Sequence, residues 1–178
     1  MKDVSIYCYT IVLLLVSGSV FGQVPYTAQS FFNDSVAVML PDNLVKIEHE
    51  AVKATFSTDT KDFFAYKNDS DGIIFTIKKT DREATQATLP EIEDRMAYDL
   101  KSQLPAAIWK SEGLTSVNGR KIAFNEFYIP DSNFGKYYFT FYTDFKGRLL
   151  VFSFECSKKD ANQSHIVAKK IMNNLKIQ

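Results

Sequence analysis

Apolar runs separated by turn-forming residues divide most of this chain into short predicted strands. Residues 36–40 favour a strand that ends at the Pro-Asp-Asn turn of 41–43, after which 44–47 resumes as a strand. The preceding residues, 23–34, form a polar and aromatic stretch that predicts a mobile lead-in. Regular structure is therefore expected to begin near Ser35.

Three turns between apolar runs predict β-hairpins. Asn118-Gly119 is the strongest of these signals, because a two-residue turn requires positive φ angles that Asn and Gly adopt readily. The others are 68–72, where Gly72 is free to take a positive φ, and 144–147; a longer turn is expected at 131–135. The flanking strands are 63–66 and 73–77, 114–117 and 121–129, and 136–143 and 148–156.

Two segments have the spacing of amphipathic helices. The first begins after Thr88, where Thr88 and Glu91 form a capping box and Pro90 fits the first turn, and it ends at Pro105. Its apolar stripe consists of Ile92, Met96, Leu100 and Leu104. The second begins near Asp160, and its apolar face consists of Val167, Ala168, Ile171, Met172 and Leu175.

The strands between these helices are apolar on both faces near their middles. One of them presents Tyr137, Phe139 and Phe141 on one face, and Tyr138 and Tyr142 on the other. A sheet with one face in water would instead alternate apolar with polar residues. We therefore predict one α+β domain over residues 35–178, an α-β-α sandwich with helices on both faces of an antiparallel sheet.

The first 22 residues have the layout of a secretory signal peptide. Lys2 precedes an apolar run at 11–16, and Val20 and Gly22 serve as the small residues before a cleavage site at Gln23. We predict a secreted or periplasmic protein with no membrane insertion after cleavage. The alternative is a retained anchor, because the 18 residues from 4 to 21 are at the lower limit for spanning a bilayer.

Composition narrows the function further. The chain has 21 basic and 21 acidic residues, so it has no electrostatic preference for nucleic acid. Its 15 Phe and 9 Tyr are expected to fill a sheet-rich core. Cys8 precedes the apolar run of the leader, whereas a lipid-attachment cysteine would follow it. Cleavage would leave Cys156 alone, which excludes an intramolecular disulfide in the mature chain.

Three segments resemble the PsbP/Mog1/DcrB-like fold family. Residues 38–43 are similar to its opening strand and Pro turn, and 113–121 to its mid-domain hairpin; 150–157 with 166–177 are similar to its last strand and closing helix. The chain departs from the family at Asn43-Leu44, where Gly-Trp is common. The family includes photosystem accessory proteins, a small-GTPase-binding factor and bacterial envelope proteins, and an N-terminal secretory signal fits the envelope group. The resemblance implies a non-enzymatic binding or accessory role, with no catalytic residues to carry over.

Motifs for metals and cofactors are incomplete. The stretch 68–72 suggests a calcium loop, but Lys67 and Lys78 occupy the positions that need an acidic ligand. Glu48-His49-Glu50 on a strand would point its side chains to opposite faces, so the three cannot converge on one ion. The only other histidine is His165. We predict no metal and no cofactor.

Candidate catalytic groups are equally sparse. Cys156 with His165 is one possible nucleophile and base, but Cys156 also fits a strand end among apolar neighbours. A hydrolase would need scattered carboxylates such as Asp59, Asp62 and Asp131, whose spacing gives no support. No catalytic residue is predicted, although a hydrolase and a small-ligand carrier with an aromatic-lined pocket remain alternatives.

Aromatic side chains supply the candidate binding site. Trp109, the only tryptophan, lies in the predicted connector 105–110, where it either plugs the core or grips a partner at the rim. Tyr128, Phe134 and Tyr137 flank the turn at 131–135 and either extend that surface or pack in the sheet. We predict an exported, non-enzymatic accessory protein that binds another envelope protein through these four residues.

Overall fold

The structure is a computed structural model that describes residues 24–58, 61–130, 135–157 and 160–178. The strands are β1 (Tyr26–Phe31), β2 (Val36–Pro41), β3 (Val45–Lys46), β4 (Phe63–Asn68), β5 (Ile73–Glu83), β6 (Ile108–Val117), β7 (Arg120–Ile129), β8 (Lys136–Phe145), β9 (Arg148–Ser157) and β10 (Lys176–Ile177). The helices are α1 (His49–Phe56), α2 (Leu89–Gln103) and α3 (Ala161–Asn173). No helix within these residues is long and apolar enough to cross a bilayer.

The main sheet has seven antiparallel strands in the order β3-β4-β5-β9-β8-β7-β6. All three predicted hairpins are present in it. Asn118-Gly119 and Lys146-Gly147 both have positive φ angles, which match a two-residue turn to the twist of the flanking strands. In the third turn, the Asn68 side-chain oxygen accepts hydrogen bonds from the backbone N–H groups of Ser70 and Asp71.

A second sheet corrects the predicted lead-in. Regular structure begins before Ser35, because residues 26–31 form β1 and pair with β2 along its whole length, and β10 pairs with the other side of β2. Phe31 at the end of β1 is buried in the main core, in edge-to-face contact with Phe64. The stretch forms a strand because these backbone and ring contacts, which are distant in sequence, hold it.

The layers confirm the predicted α+β sandwich and add one component. The three-stranded sheet and α3 cover one face of the main sheet, over a core that includes Phe75, Phe139, Phe141, Phe152 and Phe154. On the opposite face, α2 packs over β6 and β7, and α1 packs beside β4. The predicted apolar residues of α3 are buried, apart from the partly buried Val167.

The segment around His49 differs from its prediction. The strand expected over 44–47 is reduced to the two residues of β3, and α1 begins at His49, so Glu48-His49-Glu50 is not a strand. A helix forms here because it buries Val52 against Phe63 and Ala65. Long-range packing decides this conformation, and local alternation does not reveal it.

Helix α2 forms as predicted but begins differently. Thr88 has helical dihedral angles, so its side chain makes no forward cap; its hydroxyl oxygen instead accepts a hydrogen bond from the Thr85 N–H at 3.0 Å. The predicted capping box with Glu91 is therefore wrong. Of the apolar stripe, Ile92 is buried, whereas Met96, Leu100 and Leu104 are only half-buried.

Candidate functional site

The edge strand β6 carries Trp109. The strand begins at Ile108, so the connector expected over 105–110 is partly strand: Trp109 pairs with Phe127 of β7, and the ladder continues through a bulge at Lys110. The sequence did not predict this extension because the bulge interrupts regular alternation. Trp109 consequently lies half-buried on a rigid strand rather than in a loop.

Exposed apolar side chains lie along the edge strand that carries Trp109 and on the helix next to it. Among the described residues, Tyr98 is 71% exposed, Ile108 53% and Leu114 42%. On β6, Leu114 lies on the same face as Trp109 and Ile108 lies on the opposite face. Tyr98 on α2 lies one helical turn from Lys101, which contacts β6. We call Tyr98, Ile108, Trp109 and Leu114 the edge patch. Three of the six large hydrophobic side chains that are exposed in the described structure belong to it.

An ion pair anchors α2 to this edge. Lys101 Nζ donates to Glu112 Oε1 at 2.6 Å and lies 5.0 Å from the centroid of the Trp109 ring. Both charged side chains are partly in water, so the pair contributes at most about 1 kcal/mol. Its effect is positional, because it holds the Lys101 ammonium beside the Trp109 ring.

An aromatic row supports Trp109 from the inside. The Trp109 and Phe127 ring centroids are 4.9 Å apart, and Phe127 stacks on Tyr138 of β8 at 5.3 Å. These residues are cross-strand neighbours on the face covered by α2. Trp109 thus combines the two roles that its sequence position left open, since it packs on the sheet and also reaches the rim.

The predicted residues Tyr128 and Tyr137 lie on the other face of the sheet, with ring centroids 5.5 Å apart. Tyr128 is partly exposed, and Lys110 Nζ lies 5.3 Å from its ring centroid. Tyr137 is 0% exposed and donates from its hydroxyl to Glu126 Oε1 at 3.3 Å. Its expected place on a surface is therefore wrong, because the residue faces the core under α3. Phe134 lies outside the described residues.

Glu126 is a buried carboxylate that sequence reasoning missed. It accepts hydrogen bonds from Ser111 Oγ at 2.8 Å and His165 Nδ1 at 2.9 Å, and Lys110 Nζ lies 3.4 Å from Oε1. Ser111 and Lys110 belong to β6 and His165 to α3, so Glu126 joins the edge strand to the helix. A signal was available: Glu126 occupies an inward position in line with Ile122 and Phe124.

These contacts shift the pKa values of Glu126 and Tyr137. Burial by itself raises the pKa of Glu126, but the Ser111 hydrogen bond and the attraction of His165 and Lys110 outweigh it, so the pKa lies below its usual value. Burial, followed by the Glu126 charge, raises the pKa of Tyr137 well above that of an ordinary tyrosine. Glu126 therefore stays ionised as an acceptor, and Tyr137 stays protonated as a donor.

The other chemical candidates are not brought together. His165 faces Glu126, whereas the buried Cys156 thiol donates to the Ser157 carbonyl at 3.3 Å, and burial raises the pKa of that thiol. Asp62 pairs with Lys79 at 2.8 Å, and Asp59 and Asp131 lie outside the described residues. The described part of the chain contains no group of three His, Cys, Asp or Glu side chains suited to a metal ion.

Comparison with protein-family models finds no match to this sequence, and neither does comparison with curated proteins. The fold does match solved structures. The solution structure of cyanobacterial PsbP (CyanoP) from Synechocystis sp. PCC 6803 superposes with a TM-score of 0.63 at 10% identity, over 89% of this chain and 95% of that one.

Two further structures share the fold at lower similarity. LpqN of Mycobacterium tuberculosis, which is involved in cell envelope biogenesis, has a TM-score of 0.51 at 9% identity, over 86% of this chain and 90% of that one. The type VI secretion immunity protein TplEi of Pseudomonas aeruginosa, complexed with an "L" peptide, has a TM-score of 0.50 at 10% identity, over 90% and 81%. The chain therefore has the PsbP/Mog1/DcrB-like fold that its sequence segments resemble.

Proposed function

We propose that this chain is an exported, non-enzymatic accessory protein that binds another protein of the cell envelope through the edge patch. The observation that carries the proposal is that the edge strand β6 bears the half-buried Trp109 together with the exposed Ile108 and Leu114, and that Tyr98 is exposed on α2 next to this edge. Single exposed hydrophobic residues are normal on a surface, whereas several of them along one edge strand that also carries a tryptophan are typical of an interface.

The geometry of Trp109 suits an interface anchor. Its ring rests on Phe127 and is flanked by Lys101, so binding would cost little side-chain entropy. Interface tryptophans held in this way commonly contribute 2 kcal/mol or more, about thirtyfold in affinity. The ion pair of Lys101 and Glu112 beside the ring supplies the polar rim that such anchors have.

Proteins of the same fold support the envelope and binding parts of the proposal. LpqN is involved in cell envelope biogenesis, and TplEi is an immunity protein complexed with a peptide. The non-enzymatic part is supported by the side chains themselves. Both carboxylate oxygens of Glu126 accept hydrogen bonds from other side chains of the protein. The Cys156 thiol donates to the Ser157 carbonyl and not to His165.

Site-specific photocrosslinking tests the edge patch. A photoreactive phenylalanine analogue at Ile108, expressed in the source cells and irradiated, is expected to give one discrete protein adduct. Val45 is the matched control, since it is an apolar residue, 65% exposed, on β3 at the opposite edge of the sheet. Equal adducts at both positions, or none at Ile108, would contradict binding at the edge patch.

Intact-mass analysis tests export separately. A secreted or periplasmic protein whose mass corresponds to a chain starting near Gln23 supports the signal peptide. A protein that retains residues 1–22 in the membrane fraction would instead indicate an anchor.

A further inference from the structure

A second surface feature, separate from the edge patch, is a groove between β1 and α3. Its volume is about 420 Å³, which lies within the range of small-ligand sites. Val24 and Tyr26 line one wall, and Ile166 and Val167 line the other. Ile166 is 59% exposed, so the groove presents an apolar side chain to water on a rigid helix.

Side chains of opposite charge line this groove. Asp160 precedes the first turn of α3 and Lys170 belongs to its last turn, so these two charges lie at opposite ends of the helix. Asp71, in the turn before β5, also lines the groove. Asp160 and Lys170 are ten residues apart, which corresponds to about 15 Å along the helix axis. Lys170 Nζ is held 3.6 Å from the centroid of the Tyr26 ring, which positions its charge at the groove.

Polar groups between the two ends suit a peptide backbone. Asn43 and Gln163 line the groove and have amide side chains that donate and accept hydrogen bonds. Asp71 accepts a hydrogen bond from Asn68 Nδ2 at 2.8 Å through Oδ2, which holds its carboxylate in place on the groove lining. The groove is therefore lined by apolar side chains, by amide groups and by charges of opposite sign that are separated along α3.

We propose that this groove binds a short, extended apolar peptide with both termini free. The ammonium of the peptide meets Asp160 and Asp71, and its carboxylate meets Lys170. An extended chain advances about 3.3 Å per residue, so a span of about 15 Å corresponds to four or five residues. A strand inside a larger protein lacks the two terminal charges and would match only the walls. The proposal does not depend on the edge patch.

Calorimetric titration with a pool of tetrapeptides made of Leu, Val, Ala and Phe tests the proposal. The free peptides are expected to bind, and N-acetylated or C-amidated pools are expected to bind about threefold to fivefold more weakly, as for partly exposed ion pairs. Asp160→Asn should remove the effect of acetylation, and Lys170→Gln the effect of amidation. Lys169→Gln is the matched control, because that neighbouring lysine does not line the groove.

The outcomes separate this site from the edge patch. No heat at millimolar peptide, or equal binding of free and capped pools, would overturn the proposal. Loss of peptide binding in Trp109→Ala with normal binding in both groove variants would move the site to the edge. Photocrosslinking at Ile108 should be unaffected by Asp160→Asn, so failure of either proposal leaves the other testable.

Discussion

Strands β9 and β6 have the same length and belong to the same sheet, yet they differ in what surrounds them. Each has ten residues, and each alternates its side chains between the two faces. β9 has neighbours on both sides, and Phe152 and Phe154 are fully buried. β6 pairs only with β7, so most of its side chains stay partly or fully exposed. The central strand β9 thus stabilises the fold, whereas the edge strand β6 is available for binding.

The edge strand is protected against uncontrolled pairing in spite of its length. A bulge at Lys110 interrupts the ladder, Gly113 has a φ of 135°, and Lys110 and Glu112 add charge. Natural edge strands use these features to avoid aggregation. The opposite edge, β3, needs none of them because it is two residues long. The edge patch is therefore expected to recognise a partner through side chains rather than through strand addition.

The largest expected effect is at the centre of the sheet. Phe152→Ala removes a ring that stacks on Phe141 at 4.6 Å, and it should lower the free energy of unfolding by about 3–5 kcal/mol. Ile108→Ala on β6 is the matched comparison and should cost less than about 0.5 kcal/mol. Urea denaturation measures both values, and similar losses would contradict the contrast between the two strands.

Trp109→Ala tests the contrast between the central strand β9 and the edge strand β6 by measuring binding instead of stability. We expect the apparent affinity for the partner, read from the yield of the photocrosslinked adduct at Ile108, to fall about thirtyfold, which is equivalent to about 2 kcal/mol. Circular dichroism should still show a folded protein. Val45→Ala should leave the adduct unchanged. If Trp109→Ala unfolds the protein, the indole is chiefly a core residue and the binding role belongs to its neighbours.

Glu126→Gln tests how β6 is held to α3. The loss of the ionised acceptor for Ser111 and His165 should cost about 1–2 kcal/mol at pH 7. Because the folded-state pKa of Glu126 is lowered, its contribution is present above the usual value of 4.5 and is lost as the pH falls through the lowered pKa. Wild type and variant should therefore converge in melting temperature on acidification. A difference that does not depend on pH would show that the charge is unimportant.

Leu100→Ala has the smallest expected effect. A core leucine would cost about 2–5 kcal/mol, but Leu100 is half-buried near the C-terminal end of α2, so we expect about 1 kcal/mol. Thermal unfolding with Ile92→Ala as the buried comparison on the same helix checks this. An equal loss at both positions would mean that α2 packs tightly along its whole length.

Much of the fold could be predicted because its signals are local. Turn residues such as Asn118 and Gly119 specify their hairpins through backbone conformation, and the spacing of Ile171, Met172 and Leu175 identifies the buried face of the last helix. The central strands are apolar on both faces, and this pattern correctly predicted that other elements cover both faces of the main sheet. These features need no knowledge of distant residues.

Only the tertiary structure decided the remaining features, because each depends on contacts between distant residues. β1 is a strand through its pairing with β2, and α1 is a helix because Val52 meets Phe63 and Ala65. Tyr137 turned out to be buried, since α3 and Glu126 lie against it. The sequence by itself determined the hairpin turns, helices α2 and α3, and the sandwich. Which aromatic side chains reach the surface depended on the order of strands in the sheet, which local residue pattern does not encode.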